Sequence, residues 1–138
     1  MDLDAFSELG AGRLPGHLGV RVLEAGGGRA RAELDVGPHH LAPNGYLHAG
    51  AVVALADSAC GYGCWASLPE GASGFTTIEL KTNFLGTALD GSIEAKASLV
   101  HGGRTTQVWD AVVRADGRTI ALFRCTQLIL WPPKAAGA

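Results

Sequence analysis

A single carboxylate lies in the middle of a long apolar stretch. Between Ala49 and Trp65, where Ala, Val and Leu dominate, Asp57 is the only charged residue. Burying an ionised carboxylate without partners costs several kcal/mol, so the group needs either compensation or a use. One interpretation is a structural carboxylate bonded to a neighbouring strand. The other is a catalytic base or nucleophile, since such groups are often buried carboxylates with shifted pKa values.

The motif His48-Ala49-Gly50 leads into this stretch. If the stretch is a helix, the free N–H groups of Ala49 and Gly50 form the positive end of its dipole. Such an end stabilises a developing oxyanion, and small side chains let a carbonyl approach the backbone. His48 alone is weaker evidence, because a His before a helix is more often a cap or a packing residue. Three further histidines are interpreted as loop residues: His39, His40 and His101.

The sequence spacing between Asp57 and the start of the predicted helix places the carboxylate far from the free N–H groups. Ala49 and Asp57 are eight residues apart, which is roughly 12 Å along a helix at about 1.5 Å per residue. One substrate carbonyl cannot contact both groups of a single chain. If both groups act on one carbonyl, they come from different subunits, and the sequence predicts a homodimer with active sites at its interface.

Length and composition fit a single folded domain. The chain has 138 residues, of which 47% are hydrophobic and 17% charged, and one core suits this length better than two. The net charge of -2, without a run of Lys or Arg, offers no electrostatic footprint for nucleic acid. The N-terminus is acidic and shows no export signal, so a cytoplasmic location is expected.

The cysteines predict no cross-link and no metal site. Cys60, Cys64 and Cys125 are odd in number and lack a Cys-x-x-Cys spacing, which favours neither a disulfide framework nor a zinc site. Cys60 and Cys64 would share one helix face, where small packed thiols are the expectation. The cysteines therefore give no reason to expect a metal site.

Hydrophobic periodicity predicts a helix that is flanked by strands. The Ala49 to Trp65 stretch is predicted to be a core helix and not a membrane span, because its Ala and Gly content and Asp57 disfavour lipid. A short helix is predicted over Asp4 to Leu9. Alternating apolar residues predict two hairpin strands and then a meander of four consecutive antiparallel strands; these cover residues 18–24, 29–36, 75–84, 92–100, 105–114 and 119–131. The predicted organisation is a leader (1–17), one domain (18–131) and a tail (132–138).

The segment from His40 to Gly50, followed by Ala54-Leu55-Ala56-Asp57, resembles the active-site segment of hotdog-fold acyl-CoA thioesterases. The similarity is strongest to the phenylacetate-degradation and 4-hydroxybenzoyl-CoA thioesterase types. Their motif, His-Gly-Gly with an acidic residue nine positions after the His, reads His48-Ala49-Gly50 with Asp57. The resemblance implies an α+β hotdog fold, in which an antiparallel sheet of about five to six strands wraps around a long central helix.

The resemblance also implies an activity and an assembly. Such enzymes hydrolyse acyl-CoA thioesters without metal or cofactor, and they form homodimers and usually homotetramers. Asp57 would be the nucleophile or general base, and the Ala49 N–H would polarise the thioester carbonyl beside His48 and Gly50. Thr77 matches a Ser or Thr that positions water or the carboxylate. Residues 100–106 are similar to a CoA-contacting turn, whose candidates here are Arg104, Thr105 and Thr106.

Two departures from the family pattern leave alternatives open. Ala42 replaces a polar Asn or Gln, and Asn44 is the candidate to substitute for it; no basic residue follows Phe84 to contact CoA phosphate. The leading hypothesis is a thioesterase for aromatic or medium-sized acyl-CoA. The alternatives are a non-catalytic acyl-CoA or aromatic-ligand binding protein and a hotdog hydratase or dehydratase, which would need an Asp and His pair at the helix entrance.

Overall fold

The computed structural model describes residues 2–134 and contains the predicted helices and strands. The final part of the predicted tail, residues 135–138, lies outside the described residues. Two short helices are additional: α2, which begins in the Gly- and Pro-containing stretch that ends α1, and a 3-10 helix in the predicted loop before α3. The elements in chain order are α1 (Leu3–Gly10), α2 (Leu14–His17), β1 (Arg21–Gly26), β2 (Arg29–Asp35), the 3-10 helix (Pro38–His40), α3 (Ala49–Ala66), β3 (Gly74–Phe84), β4 (Ser92–Gly102), β5 (Thr106–Ala115) and β6 (Arg118–Leu130).

All six strands form one antiparallel sheet in the order β1-β2-β4-β5-β6-β3. The predicted meander is correct for β4, β5 and β6. It is wrong for β3, which pairs with β6 and not with β4, because β4 pairs with β2 and so lies inside the sheet. Alternation along a strand shows which face is buried, whereas strand neighbours depend on the edges left open by the whole chain.

Helix α3 packs against one face of this sheet, and the residues that face it are mostly small. Ala30, Ala32, Ala95 and Ala97 are buried on β2 and β4, as their alternation with charged residues predicts. Small side chains there let the helix approach the strands closely. The helix itself buries residues that include Leu55, Ala56, Ala59 and Cys60. Within residues 2–134, no helix is both long enough and apolar enough to cross a membrane.

The closest approach of helix to sheet depends on a glycine. A Cβ placed on Gly63 would lie 2.6 Å from Cη2 and 2.7 Å from Cζ3 of Trp109. Trp109 is fully buried, and its indole N–H donates to Gln107 Oε1 at 2.8 Å, so the ring cannot easily move aside. The lack of a side chain at Gly63 therefore leaves the space that the Trp109 ring occupies between α3 and β5.

Gly63→Ala is expected to lower the free energy of unfolding by about 1–3 kcal/mol. Alanine favours a helix over glycine by about 1 kcal/mol, but the overlap with Trp109 outweighs this gain. The measurement is the urea midpoint. Gly74→Ala is the control, because a Cβ there meets no atom within 4 Å; equal midpoints for Gly63→Ala and the wild-type protein would contradict the packing argument.

The leader segment packs on the domain. Phe6 of α1 is 1% exposed, and its ring contacts Tyr62 of α3 edge-on at a centroid distance of 5.5 Å. His40, which was interpreted as a loop residue, is buried: its Nδ1 accepts from the Gly37 N–H at 2.9 Å and its Nε2 donates to the Leu18 carbonyl at 2.8 Å. The Phe6–Tyr62 contact attaches the leader to α3, and the hydrogen bond between His40 and Leu18 attaches the segment before α3 to the first residue after the leader. The predicted domain boundary at residue 18 stays a prediction.

Candidate active site

Asp57 lies in the middle of α3 and is half-buried, and among residues 2–134 it has one side-chain hydrogen-bond partner. The Thr77 hydroxyl donates to Asp57 Oδ1 at 2.9 Å, from a strand that curves past the helix. Burial raises the pKa of Asp57 above its ordinary value of 3.8, and the hydrogen bond from Thr77 opposes this rise. Desolvation disfavours the charged form more than one hydroxyl donor stabilises it. A carboxylate whose pKa is raised is a stronger base than an ordinary carboxylate.

Thr77 is placed by an irregularity in β3. The register with β6 shifts between Thr77 and Glu79, so Ile78 is an extra residue in the strand. Such a β-bulge bends a strand and redirects its side chains. The Thr77 hydroxyl therefore points at α3 and contacts Asp57. The structure therefore brings the predicted residue Thr77 into contact with Asp57, and its role in a reaction stays a prediction.

Gln127 is a site residue that the sequence reasoning missed. It is fully buried on β6, and its Oε1 lies 2.9 Å from the Thr77 hydroxyl oxygen. A signal for it was present, because Phe123, Cys125, Gln127 and Ile129 occupy successive inward positions of β6, and only one of them is strongly polar. A buried amide in an apolar row needs partners, and Thr77 is the one that connects it to Asp57.

The helix N-terminus presents one free donor. The Gly50 N–H, expected to be free, donates to His48 Nδ1 at 2.7 Å, as in an N-cap. The Ala49 N–H has no acceptor among residues 2–134. Because His48 Nδ1 accepts a hydrogen bond, the neutral ring carries its hydrogen on Nε2. His48, Ala49 and Gly50 are all exposed, so a substrate carbonyl can reach the Ala49 N–H.

Asp57 and the Ala49 N–H are both on α3, as predicted, and the structure does not bring them together in one chain. Eight helical residues separate them, roughly 12 Å at about 1.5 Å per residue. Asp57 and the two residues on either side of Ala49 line different grooves. The first, of about 360 Å³, is lined by Leu9, Gly10, Arg13, Pro15, Asp57, Ser58, Gly61, Tyr62, Trp65 and Phe75. The second, of about 200 Å³, includes His48, Gly50, Ala51 and Ala54.

The candidate CoA residues lie at the turn between β4 and β5. The guanidinium of Arg104 stacks over the Trp131 ring at 4.3 Å, and the Trp131 indole N–H donates to the Arg104 carbonyl at 3.1 Å. Arg104 and Thr105 are exposed, and Thr106 begins β5. The nearby Gln107 donates to the Ser67 carbonyl just after α3, so this turn lies at the end of the helix opposite Ala49.

Asn44 lies at the tip of the loop before α3. Its Oδ1 accepts from the Tyr46 N–H at 3.2 Å, and the Ala42 N–H donates to the Tyr46 carbonyl at 2.7 Å. Asn44 is exposed and shapes this turn, whereas Ala42 is half-buried. The structure therefore gives Asn44 a local role in the turn, and its role toward a substrate stays a prediction.

The three cysteines are buried free thiols, as predicted. A hydrogen bond with Cys125 and burial raise the pKa of Cys60 well above its ordinary value, and burial raises that of Cys64 to about 12. Thiols held in the protonated form are poor nucleophiles. Cys60 and Cys64 therefore act as packing residues in the core.

Comparison with known proteins relates this chain to one family and to two enzymes at 30% sequence identity. The family model of the thioesterase superfamily matches residues 44–121. The 1,4-dihydroxy-2-naphthoyl-CoA hydrolase of Escherichia coli K12 is 30% identical over 132 residues, which cover 93% of this chain and 94% of that protein. The enzyme of the same name from Listeria monocytogenes is 30% identical over 110 residues, covering 79% and 89%.

A solved structure supports the same relationship. A mutant thioesterase from Pseudomonas aeruginosa is 27% identical, with a TM-score of 0.89 over 94% of each chain. This likeness confirms the predicted hotdog fold, in which the sheet wraps around α3.

Proposed function

This chain belongs to the thioesterase superfamily, and we propose that it hydrolyses acyl-CoA thioesters. The observation that carries the proposal is a half-buried carboxyl group with a raised pKa, Asp57, hydrogen-bonded to Thr77 at the edge of an apolar groove. A base, a donor for an oxyanion and an apolar pocket are the parts that acyl transfer to water requires.

In the proposed reaction Asp57 is the general base that activates a water molecule. Asp57 takes a proton from water as the water oxygen attacks the thioester carbonyl carbon. The Ala49 N–H donates to the resulting oxyanion, which forms at the positive end of α3. When the C–S bond breaks, the thiolate of CoA leaves and receives the proton from Asp57. No metal or cofactor takes part in these steps.

The proposed site needs two subunits, and one edge of the sheet is suited to join them. Strand β3 is an edge strand of 11 residues, and its free N–H and C=O groups can pair with another strand. Ile78 and Leu80 are 56% and 42% exposed along it. Pairing of two β3 edges about a twofold axis would form a homodimer, in which Asp57 of one subunit meets Ala49 of the other. A dimer of dimers is the proposed larger assembly.

The groove beside Asp57 supports an aromatic or medium-sized acyl group. Tyr62, Trp65 and Phe75 line it together with Leu9 and Pro15 of the leader segment. Aromatic side chains bind flat apolar groups by stacking and edge contacts. Two relatives are named as hydrolases of a dihydroxynaphthoyl-CoA. The bicyclic aromatic acyl group in that name is flat and largely apolar, which suits the aromatic lining of this groove.

Arg104→Ala is expected to raise KM for an acyl-CoA substrate severalfold and leave kcat nearly unchanged. In the proposed complex Arg104, Thr105 and Thr106 contact the nucleotide end of CoA, and a remote phosphate contact binds ground state and transition state alike. The measurement is steady-state kinetics. The control is Arg114→Ala, an exposed arginine on another part of the sheet; a large fall in kcat with unchanged KM would remove Arg104 from the CoA site.

The proposed activity is tested with a panel of aromatic, medium-chain and short-chain acyl-CoA thioesters and with detection of the released thiol. The expected result is thiol release that is fastest with an aromatic or medium-sized acyl group. Binding of acyl-CoA without thiol release would favour the non-catalytic alternative, and hydration of an enoyl-CoA would favour a hydratase. The cytoplasmic location stays a prediction.

A further inference from the structure

A row of polar side chains crosses three strands beneath α3. Thr77 of β3 is paired with Gln127 of β6, and Gln127 is paired with Gln107 of β5. Both glutamines are buried. Their partners differ: Gln107 accepts from the Trp109 indole and donates to the Ser67 carbonyl at 3.0 Å, so it serves packing. Gln127 contacts Thr77, the partner of Asp57.

The Thr77 hydroxyl cannot donate a hydrogen bond to Asp57 and to Gln127 at the same time. It has one hydrogen, whereas Asp57 Oδ1 and Gln127 Oε1 both lie 2.9 Å from its oxygen. Gln127 is oriented with Oε1 toward Thr77, and its Nε2 donates to Cys125 Sγ at 3.4 Å. The hydroxyl hydrogen therefore has two alternative acceptors.

We propose that Gln127 is a positioning residue that acts through Thr77 to stabilise Asp57 after it has taken a proton. When Asp57 is ionised, Thr77 donates to it. When Asp57 is protonated, its O–H donates to Thr77 Oγ1, and the Thr77 hydrogen turns to Gln127 Oε1. No buried donor is then left without an acceptor in the protonated state. This inference rests on the proposed role of Asp57 as general base.

An acceptor in this position makes Asp57 a better base. Without Gln127 Oε1, proton uptake by Asp57 would leave the buried Thr77 hydroxyl hydrogen unpaired, and a buried donor without a partner is costly. The charged and titratable groups around Asp57 are Cys60 and Tyr62 of α3, Cys125 of β6 and Arg13 across the groove. The pKa values of Cys60 and Tyr62 are raised, so neither group ionises in the acid range where Asp57 titrates.

The test is Gln127→Met, which keeps the length of the side chain and removes its strong acceptor. We expect kcat to fall about tenfold, the worth of one hydrogen bond, and the acid limb of the pH–rate profile to move to lower pH. In a Thr77→Val background the same change is expected to have no further effect on kcat. Gln107→Met is the matched control: it removes an equally buried amide, and it is expected to lower stability without moving the acid limb.

A second variant distinguishes the proposed effect on Asp57 from a loss of protein stability, and a direct titration of Asp57 measures that effect without an activity assay. Gln127→Glu supplies a stronger acceptor and a like charge, so the acid limb is expected to move to higher pH. Carbon NMR of the Asp57 carboxyl group reads the same shifts without a substrate. An unmoved Asp57 titration in Gln127→Met, or an equal loss of kcat in the Thr77→Val background, would overturn the inference. Failure of the wild-type protein to hydrolyse any thioester would instead refute the proposed function.

Discussion

Asp57→Asn is expected to lower kcat at least about a hundredfold, because general-base catalysis contributes roughly 10² to 10⁴. The amide keeps the size of the side chain and can still bond to Thr77, so the fold and the assembly should be unchanged. The measurement is kcat by thiol release, with circular dichroism and light scattering on the same sample. The matched control is Asp110→Asn, the same change at a carboxylate that is paired with Arg124 elsewhere on the sheet.

The same variant has a stability signature whose sign follows from the pKa of Asp57. Burial raises that pKa above 3.8, so the folded state binds the proton more tightly than the unfolded chain. This tighter proton binding contributes stability at pH values below the pKa of Asp57 in the unfolded chain. The contribution is lost as the pH rises through the pKa of Asp57 in the folded protein. Asp57→Asn should therefore have an unchanged or higher Tm at neutral pH, and the difference should shrink toward pH 4. Wild-type kcat, or an unfolded variant, would support the structural interpretation of Asp57.

Ala49→Pro is expected to lower kcat about 10²- to 10³-fold, the usual cost of losing one oxyanion donor. Proline has no N–H, and Ala49 is the first residue of α3, a position that accepts proline without loss of a helical hydrogen bond. His48 has φ -66° and ψ 133°, an extended conformation that suits a residue before proline. The substitution therefore removes the donor and leaves the helix intact.

Ala49→Ser is the control for this effect. It changes the side chain and keeps the N–H, so kcat should stay near the wild-type value. Equal Tm values for the proline and serine variants would show that the helix is undisturbed. If Ala49→Pro retained full kcat, the N-terminus of α3 would have no part in the reaction, and the oxyanion would need another donor.

The sequence predicted the parts of the site that depend on local pattern. A lone Asp57 in an apolar helix and the small residues at its start are visible in one segment of chain. The strands follow from alternation, because each has one face on the core and one outside. The separation of Ala49 and Asp57 follows from helix geometry alone.

Contacts made across the sheet could not be predicted from the local sequence. The pairing of β3 with β6, and hence the contact of Thr77 with Gln127, depends on which sheet edge receives β3. No local spacing encodes that choice. The groove could not be predicted from the sequence either. The leader residues Leu9 and Arg13 line the same groove as Asp57 only because α1 and α2 fold back on α3. The burial of His40 has the same cause, since its partner, Leu18, is 22 residues away.

The most direct test of a shared site uses mixed dimers of defined composition. Two chains with different affinity tags are co-expressed, one with Asp57→Asn and the other with Ala49→Pro, and the doubly tagged dimer is purified. If each site takes its base from one subunit and its oxyanion donor from the other, one of the two sites is intact and about half of the wild-type activity is expected.

The reciprocal dimer combines a wild-type chain with a chain that carries both substitutions. Each of its sites would then lack one group, so a shared site predicts almost no activity. Sites built within single chains predict the opposite pair of results: about half activity for the reciprocal dimer, where one chain is intact, and almost none for the first dimer. Half activity in the first dimer with loss in the second is the result that our account predicts, and the reverse would contradict it.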